Sequence, residues 1–250
     1  MSRKTESRKI RLINDNTPFA IKESYNQLRT NLMYTTENAN GCPVYAVTSA
    51  EAGDGKSTVI SNLAISYAQA YKKVLLIDAD MRRPVQYQNF KLKKNQAGLS
   101  ELLSGIEKID SFELSNPAPS LYVLTSGCIP PNPSELMLGK KFEELLAKWR
   151  TEFDVIFIDL PPVGIVADPL SVAPLVDGYI FVVMANKTDA KHLNAAIATL
   201  EQLNAKVLGV VVAGSNLKGN KSYKYKYGNG YGYGYGYGQA PDSSYNKSNS

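Results

Sequence analysis

Residues 44–57 read Val44-Tyr45-Ala46-Val47-Thr48-Ser49-Ala50-Glu51-Ala52-Gly53-Asp54-Gly55-Lys56-Ser57. Val44–Thr48 has the pattern of a short buried strand, a glycine-rich turn follows, and Ser57–Tyr71 continues as a helix. From Ala50 to Ser57 the turn fits the phosphate-loop pattern G-x-x-x-x-G-K-[ST], with Ala50 in place of the first glycine. Gly53 and Gly55 let backbone N–H groups turn inward on phosphate oxygens. The helix that follows aims the positive end of its dipole at the same place. Gly53, Asp54, Gly55, Lys56, Ser57 and Thr58 are therefore the expected nucleotide-binding residues. Lys56 would contact the β- and γ-phosphates of ATP, and Ser57 would hold Mg²⁺ with Thr58 beside it.

Outward from the loop, helices and short apolar runs alternate. Val74–Asp78, Tyr122–Leu124, Val155–Asp159, Tyr179–Met184 and Val207–Val212 read as strands; Phe142–Arg150 and Lys191–Leu203 read as helices. This pattern predicts an α/β fold of the P-loop NTPase type, a mostly parallel sheet with helices on both faces. Such sheets bind ligands at the carboxyl ends of their strands, and acids stand there. The second strand ends in Asp78-Ala79-Asp80-Met81-Arg82-Arg83-Pro84. Strand alternation would put Asp78 and Asp80 on one side, where two carboxylates suit Mg²⁺ coordination and proton abstraction. Asp80 has the alternative of capping a turn. Val155-Ile156-Phe157-Ile158-Asp159 is an apolar strand ending in an acid, the Walker-B arrangement. Lys56, Asp78 and Asp80 are the expected catalytic residues, and Ser57, Asp78, Asp80 and Asp159 the expected metal ligands.

The 250 residues are 44% apolar with a net charge of +5. That suits one α/β domain with tails. Three regions are expected: a polar segment over 1–40 with a helix over Ile21–Tyr34, the P-loop domain over 41–217, and a Tyr/Gly-rich tail over 218–250. Much of the positive charge sits at the two ends, where solvation is its ordinary role, and no nucleic-acid partner is expected. Two cysteines, Cys42 and Cys128, are too few for a disulfide framework or a zinc cage and fit reduced thiols in the cytoplasm. No apolar run approaches the roughly 20 residues that span a bilayer, and the start lacks an apolar signal-peptide core. The single histidine, His192, stands apart from any nucleophile motif and reads as structural or surface. Tyr45 and Tyr122 fall in strands and read as core.

These motifs resemble the cytoplasmic bacterial tyrosine kinases of the capsule and exopolysaccharide type, over about residues 10–217 and the tail. The resemblance rests on the Lys56 loop, the Asp78–Arg82 D-x-D-x-R segment (Walker A′ in that family) and Ile158-Asp159-Leu160-Pro161-Pro162. It implies that these parts bind Mg-ATP, with Asp78 as base for a tyrosine hydroxyl, Asp80 tuning Mg²⁺ and its waters, and Asp159 completing the metal site. The tail tyrosines Tyr223, Tyr225, Tyr227, Tyr231, Tyr233, Tyr235 and Tyr237, with Tyr245 beyond them, would be autophosphorylated by a neighbouring subunit. Glycine spacers leave each ring free to reach an active site. Glu23 and Arg29 match the family's E-x-x-R-x-x-R subunit-contact segment, with Asn26 where the family has Arg. Leu160 replaces the usual Thr or Cys, and Ala213 stands near where relatives often have an adenine-reading Asn. The resemblance further implies a homo-oligomer, a cognate phosphotyrosine phosphatase, and a separate membrane activator of the polysaccharide co-polymerase type that recruits the kinase to the inner face of the membrane.

Two other readings compete. One is a partitioning or division-site ATPase switch; those relatives carry a lysine where this loop has Glu51, so the charge is reversed. The other is a non-catalytic adaptor that uses ATP only to assemble, against which stand the retained Lys56, Asp78, Asp80 and Asp159.

Overall fold

A computed structural model describes residues 12–35, 41–70, 72–94, 96–106 and 115–215. The tyrosine tail, with every expected phosphorylation site, lies outside the described residues. So does the basic stretch 1–11. The described elements are α1 (Phe19–Thr35), β1 (Val44–Thr48), α2 (Lys56–Gln69), β2 (Val74–Asp78), α3 (Gln86–Asn89), α4 (Leu99–Leu103), β3 (Ser115–Ala118), β4 (Leu121–Leu124), α5 (Pro133–Leu138), α6 (Lys140–Glu152), β5 (Val155–Asp159), α7 (Asp168–Ser171), β6 (Gly178–Met184), α8 (Ala190–Glu201) and β7 (Val207–Ala213).

The strands form one seven-stranded sheet in the order β3-β4-β2-β5-β1-β6-β7. Every pairing is parallel except β3 with β4. The three central strands β2, β5 and β1 are buried at every residue. Continuous apolar runs, rather than alternating ones, are what a sheet covered on both faces requires. On one face Tyr45, Val47, Leu76 and Phe157 meet Ile60, Leu63 and Tyr67 of α2. The Tyr67 ring stands edge-on to Phe157 at 5.2 Å between centroids. The other face packs Ile77, Ile156, Ile158 and Phe181 with Phe142, Leu145 and Trp149 of α6 and with Leu200 of α8. Each large side chain so buried contributes about 1.5–3 kcal/mol.

The expected strand β1 and the strands ending in Asp78 and Asp159 match residue for residue. Strand order then does what sequence order hides: the three strands that carry the phosphate loop, the D-x-D-x-R segment and the Walker-B acid lie side by side. Asp78 and Asp159 end adjacent strands in the same register.

The N-terminal helix α1 lies against α2 of the same chain. Asn62 donates to Tyr25 Oη at 3.3 Å and Ser66 donates to Asn26 at 3.1 Å. Arg29 donates to the Ser66 carbonyl and, at 2.9 Å, to its hydroxyl. Glu23 is exposed. Among the described residues no helix is long and apolar enough to cross a membrane. Tyr45 is buried in the core and Tyr122 packs on Phe153 at 5.4 Å between centroids.

Candidate active site

The phosphate loop turns between β1 and α2 on two left-handed glycines, Gly53 (φ 79°) and Gly55 (φ 91°). Ala50 has no positive φ. This explains how alanine serves where the common pattern has glycine: the backbone there stays in a region open to any residue. The requirement for glycine moves to the facing segment, where a Cβ on Gly164 would stand 2.4 Å from the Ala50 carbonyl oxygen. Val163 N–H donates to the Ser49 carbonyl at 3.0 Å, and Thr48 Oγ1 donates to the Pro161 carbonyl at 2.8 Å. The Pro161–Gly164 segment is thus fastened to the start of the loop.

Lys56 is buried, its Nζ 3.6 Å from Asp80 Oδ2. Asp80 Oδ1 accepts the Arg83 N–H at 3.0 Å. The acid therefore caps a turn and faces the loop lysine at once. Strand alternation is not what brings Asp78 and Asp80 to one side: β2 ends at Asp78, and the turn beyond it carries Asp80 to Lys56.

Asp78 and Asp159 are both fully buried. Asp78 Oδ2 accepts the backbone N–H groups of Val85 at 3.0 Å and Gln86 at 2.9 Å. Asp159 Oδ2 accepts the side-chain amide of Gln86 at 2.8 Å. Among the described residues the second oxygen of each, Oδ1, has no hydrogen-bond partner. Burial pushes the Asp78 carboxyl well above its ordinary value; the charge of Asp159 adds to the rise and the two backbone N–H groups oppose it. Burial also raises Asp159, while Lys56 and the polar side chains of Ser57 and Gln86 hold that rise in check.

Sequence reasoning missed Gln86. It is fully buried at the start of α3, and its side chain spans the site. It bonds Asp159 on one side and accepts from Ser61 at 2.7 Å on the other, with a longer contact to the Ser57 carbonyl at 3.4 Å. A polar residue two beyond a proline in a four-residue helix carries no pattern that could have marked it. Arg82 makes a two-point contact with the buried Asp168, at 2.7 and 2.8 Å, which Ser134 also bonds. Its guanidinium is thus held by an ion pair within the domain, although the side chain stays exposed. His192 is exposed, as expected, yet its Nδ1 lies 2.8 Å from Glu51 Oε1 of the phosphate loop.

Two buried carboxylate oxygens without partners, beside a lysine and a phosphate loop, fit a divalent cation. Among the described residues no three His, Cys, Asp or Glu side chains form a metal-holding group by themselves. A cation here would need phosphate and water oxygens as further ligands, which is the usual habit of Mg²⁺.

Fold and site together define a nucleotide-binding P-loop domain. The ParA family model, described as NUBPL iron-transfer P-loop NTPase, matches residues 42–232. The chain is 35% identical to the tyrosine-protein kinase CpsD of Streptococcus agalactiae over 191 residues, 76% of this chain and 82% of that one. It is 36% identical to the tyrosine-protein kinase YwqD of Bacillus subtilis over 201 residues, 80% of this chain and 84% of that one. The solved structure of the kinase domain of the Escherichia coli tyrosine kinase ETK superposes with a TM-score of 0.72 at 28% identity, covering 92% of this chain and 89% of that one. The chain belongs to the bacterial protein-tyrosine kinases, which are built on the ParA-type P-loop NTPase domain.

Proposed function

We propose that the protein transfers the γ-phosphate of ATP to tyrosine hydroxyls, its own C-terminal cluster Tyr223–Tyr237 included, and in this way regulates synthesis and export of a capsular or extracellular polysaccharide. The carrying observation is the meeting of Lys56, Asp78, Asp80 and Asp159 at the carboxyl ends of three neighbouring strands. In this reading the loop N–H groups and Lys56 bind and orient the triphosphate. Ser57, Asp78, Asp80 and Asp159 would hold Mg²⁺, which when bound neutralises charge on the transferring phosphoryl group. Asp78 receives the hydroxyl proton at Oδ1, the oxygen its backbone partners leave uncommitted. The hydroxyl oxygen bonds phosphorus as the bond to ADP breaks. Gln86 keeps Asp159 oriented, and the raised affinity of Asp78 for protons suits it to accept one.

A second copy of the chain would present the tail, and a membrane co-polymerase would bring the kinase to the inner face of the membrane. Glu23 and Arg29 remain candidates for the subunit contact, with Arg29 shared with Ser66 of its own chain. From Lys218 onward five lysines and one aspartate give about +4. Each phosphotyrosine adds about −1.5 to −2, so about three would cancel the tail's charge and more would drive neighbouring tails apart. A cognate phosphatase would reset the cycle.

Incubation of the full chain with Mg-ATP, beside Lys56→Met as control, tests the reading by phosphotyrosine mapping. Phosphate on the Tyr223–Tyr237 cluster, lost in the control by about 100-fold or more, is the expected result. ATP hydrolysis with no phosphotyrosine, even with a co-polymerase cytoplasmic fragment added, would favour the switch or adaptor reading instead.

A further inference from the structure

A loop that wraps N–H groups around a polyphosphate works through positive potential. This loop carries an acid inside it. The Asp54 side chain is 0% exposed, so water cannot screen it. Its two oxygens have two partners: Oδ2 accepts the Glu51 N–H at 3.3 Å, and Oδ1 is 2.9 Å from Lys187 Nζ. Lys187 comes from the turn after β6, 133 residues away in sequence. That turn is itself fixed: Lys187 N–H donates to the Met184 carbonyl at 3.1 Å, and Met184 N–H donates to Thr188 Oγ1 at 2.8 Å.

The ammonium also donates to the Ala52 carbonyl at 2.7 Å. In a trans peptide the C=O and the following N–H point opposite ways, so holding the Ala52 oxygen on Lys187 aims the Gly53 N–H away from it. The His192–Glu51 contact ties the start of α8 to the same loop a second time.

We propose that Lys187 is an affinity-determining residue for nucleotide: its ammonium cancels the buried charge of Asp54, which would otherwise repel the phosphates from within their own cradle. Lys187 acts through Asp54 and the Ala52 carbonyl rather than by touching the reacting atoms, and is thus a positioning residue. The inference rests on the reading of this loop as the ATP cradle. It predicts a reciprocal pattern that a merely structural tether would not give. Removing the lysine alone weakens binding; removing the acid with it restores binding.

The test is calorimetric titration of the full chain with Mg-ADP and with a non-hydrolysable Mg-ATP analogue. Wild type, Lys187→Met, Lys187→Arg, Asp54→Asn and the double variant Asp54→Asn/Lys187→Met are compared, each checked for its melting temperature. Lys187→Met should weaken binding about tenfold or more. The loss should be larger for the triphosphate than for the diphosphate and should persist at high salt, because the acid is buried. The double variant should return to within about threefold of wild type, and Lys187→Arg, which keeps the charge but not the compact ammonium, should lose less than Lys187→Met. Asn at 54 keeps an acceptor for Glu51 N–H, so the double variant retains that contact. A double variant as weak as Lys187→Met would overturn the proposal, as would Lys187→Met binding like wild type. A wild-type chain that binds neither nucleotide would instead overturn the reading of the loop itself, and the proposal with it.

Discussion

At the amino ends of β5 and β6, aspartates are spent on the fold. Asp177, just before β6, accepts the Val44 N–H at 2.7 Å and pairs with Arg150 at 3.0 Å. Arg150 in turn donates to the Cys42 carbonyl at 2.6 Å. Asp154, just before β5, accepts the Lys73 N–H at 2.7 Å while its own N–H returns a bond to the Lys73 carbonyl. At the carboxyl ends of β2 and β5, Asp78 and Asp159 are more deeply buried, yet each leaves one oxygen without a partner among the described residues. Burying a carboxylate oxygen unpaired opposes folding. At one end the aspartates bond the fold through Oδ2 from positions that reach solvent, and at the other they bury an unpaired oxygen that something from outside can meet. The difference locates the site more firmly than any single motif, because the residue type is the same at both ends and what differs is that the unpaired oxygen is buried.

The sharpest way to break this contrast is Asp78→Asn. It should lower phosphotransfer by about 100- to 10,000-fold, while the nucleotide-free protein melts higher, by about 2–4 °C for each kcal/mol gained. The sign follows from linkage. The folded protein holds the Asp78 proton to higher pH than the unfolded chain, whose aspartate loses it near the ordinary 3.8. Above that pH the folded state binds more protons, so wild-type stability falls as pH rises toward the folded value. The gap in melting temperature between variant and wild type should widen from about pH 4 upward; a constant gap would contradict the burial argument.

Gln86→Leu comes next. It keeps the backbone N–H on Asp78 but leaves Asp159 Oδ2 without its amide, and should cost about 10- to 100-fold in kcat/KM with a raised Mg²⁺ requirement. The smallest catalytic effect belongs to the opposite end. Asp177→Ala should cost about 1–3 kcal/mol of stability, by denaturant unfolding, and leave nucleotide affinity within about twofold.

The parts that were legible in the sequence are those whose cause is local. β1, β2 and β5 are five-residue apolar runs bounded by turns, and burial on both faces leaves them no other pattern. The phosphate loop was legible because its φ angles need glycine at 53 and 55. β3 was not: Ser115-Asn116-Pro117-Ala118 has no strand pattern, and it pairs only as an antiparallel edge on β4. The short helices α3, α4, α5 and α7 span four to six residues, too few for helical periodicity to show. Gln86, Lys187 and Asp168 escaped for a different reason. Each matters through a partner tens to over a hundred residues away, and only strand order decides that partner.

The central claim is that the buried, unpartnered oxygen of Asp159 is reserved for a cation bound with nucleotide. Titration of Mg²⁺ into the protein–ADP complex tests it directly, comparing wild type with Asp159→Asn at the carboxyl end and Asp177→Asn at the amino end. The account predicts binding weakened about tenfold or more by Asp159→Asn and unchanged by Asp177→Asn. Equal Mg²⁺ affinity in wild type and Asp159→Asn would contradict it.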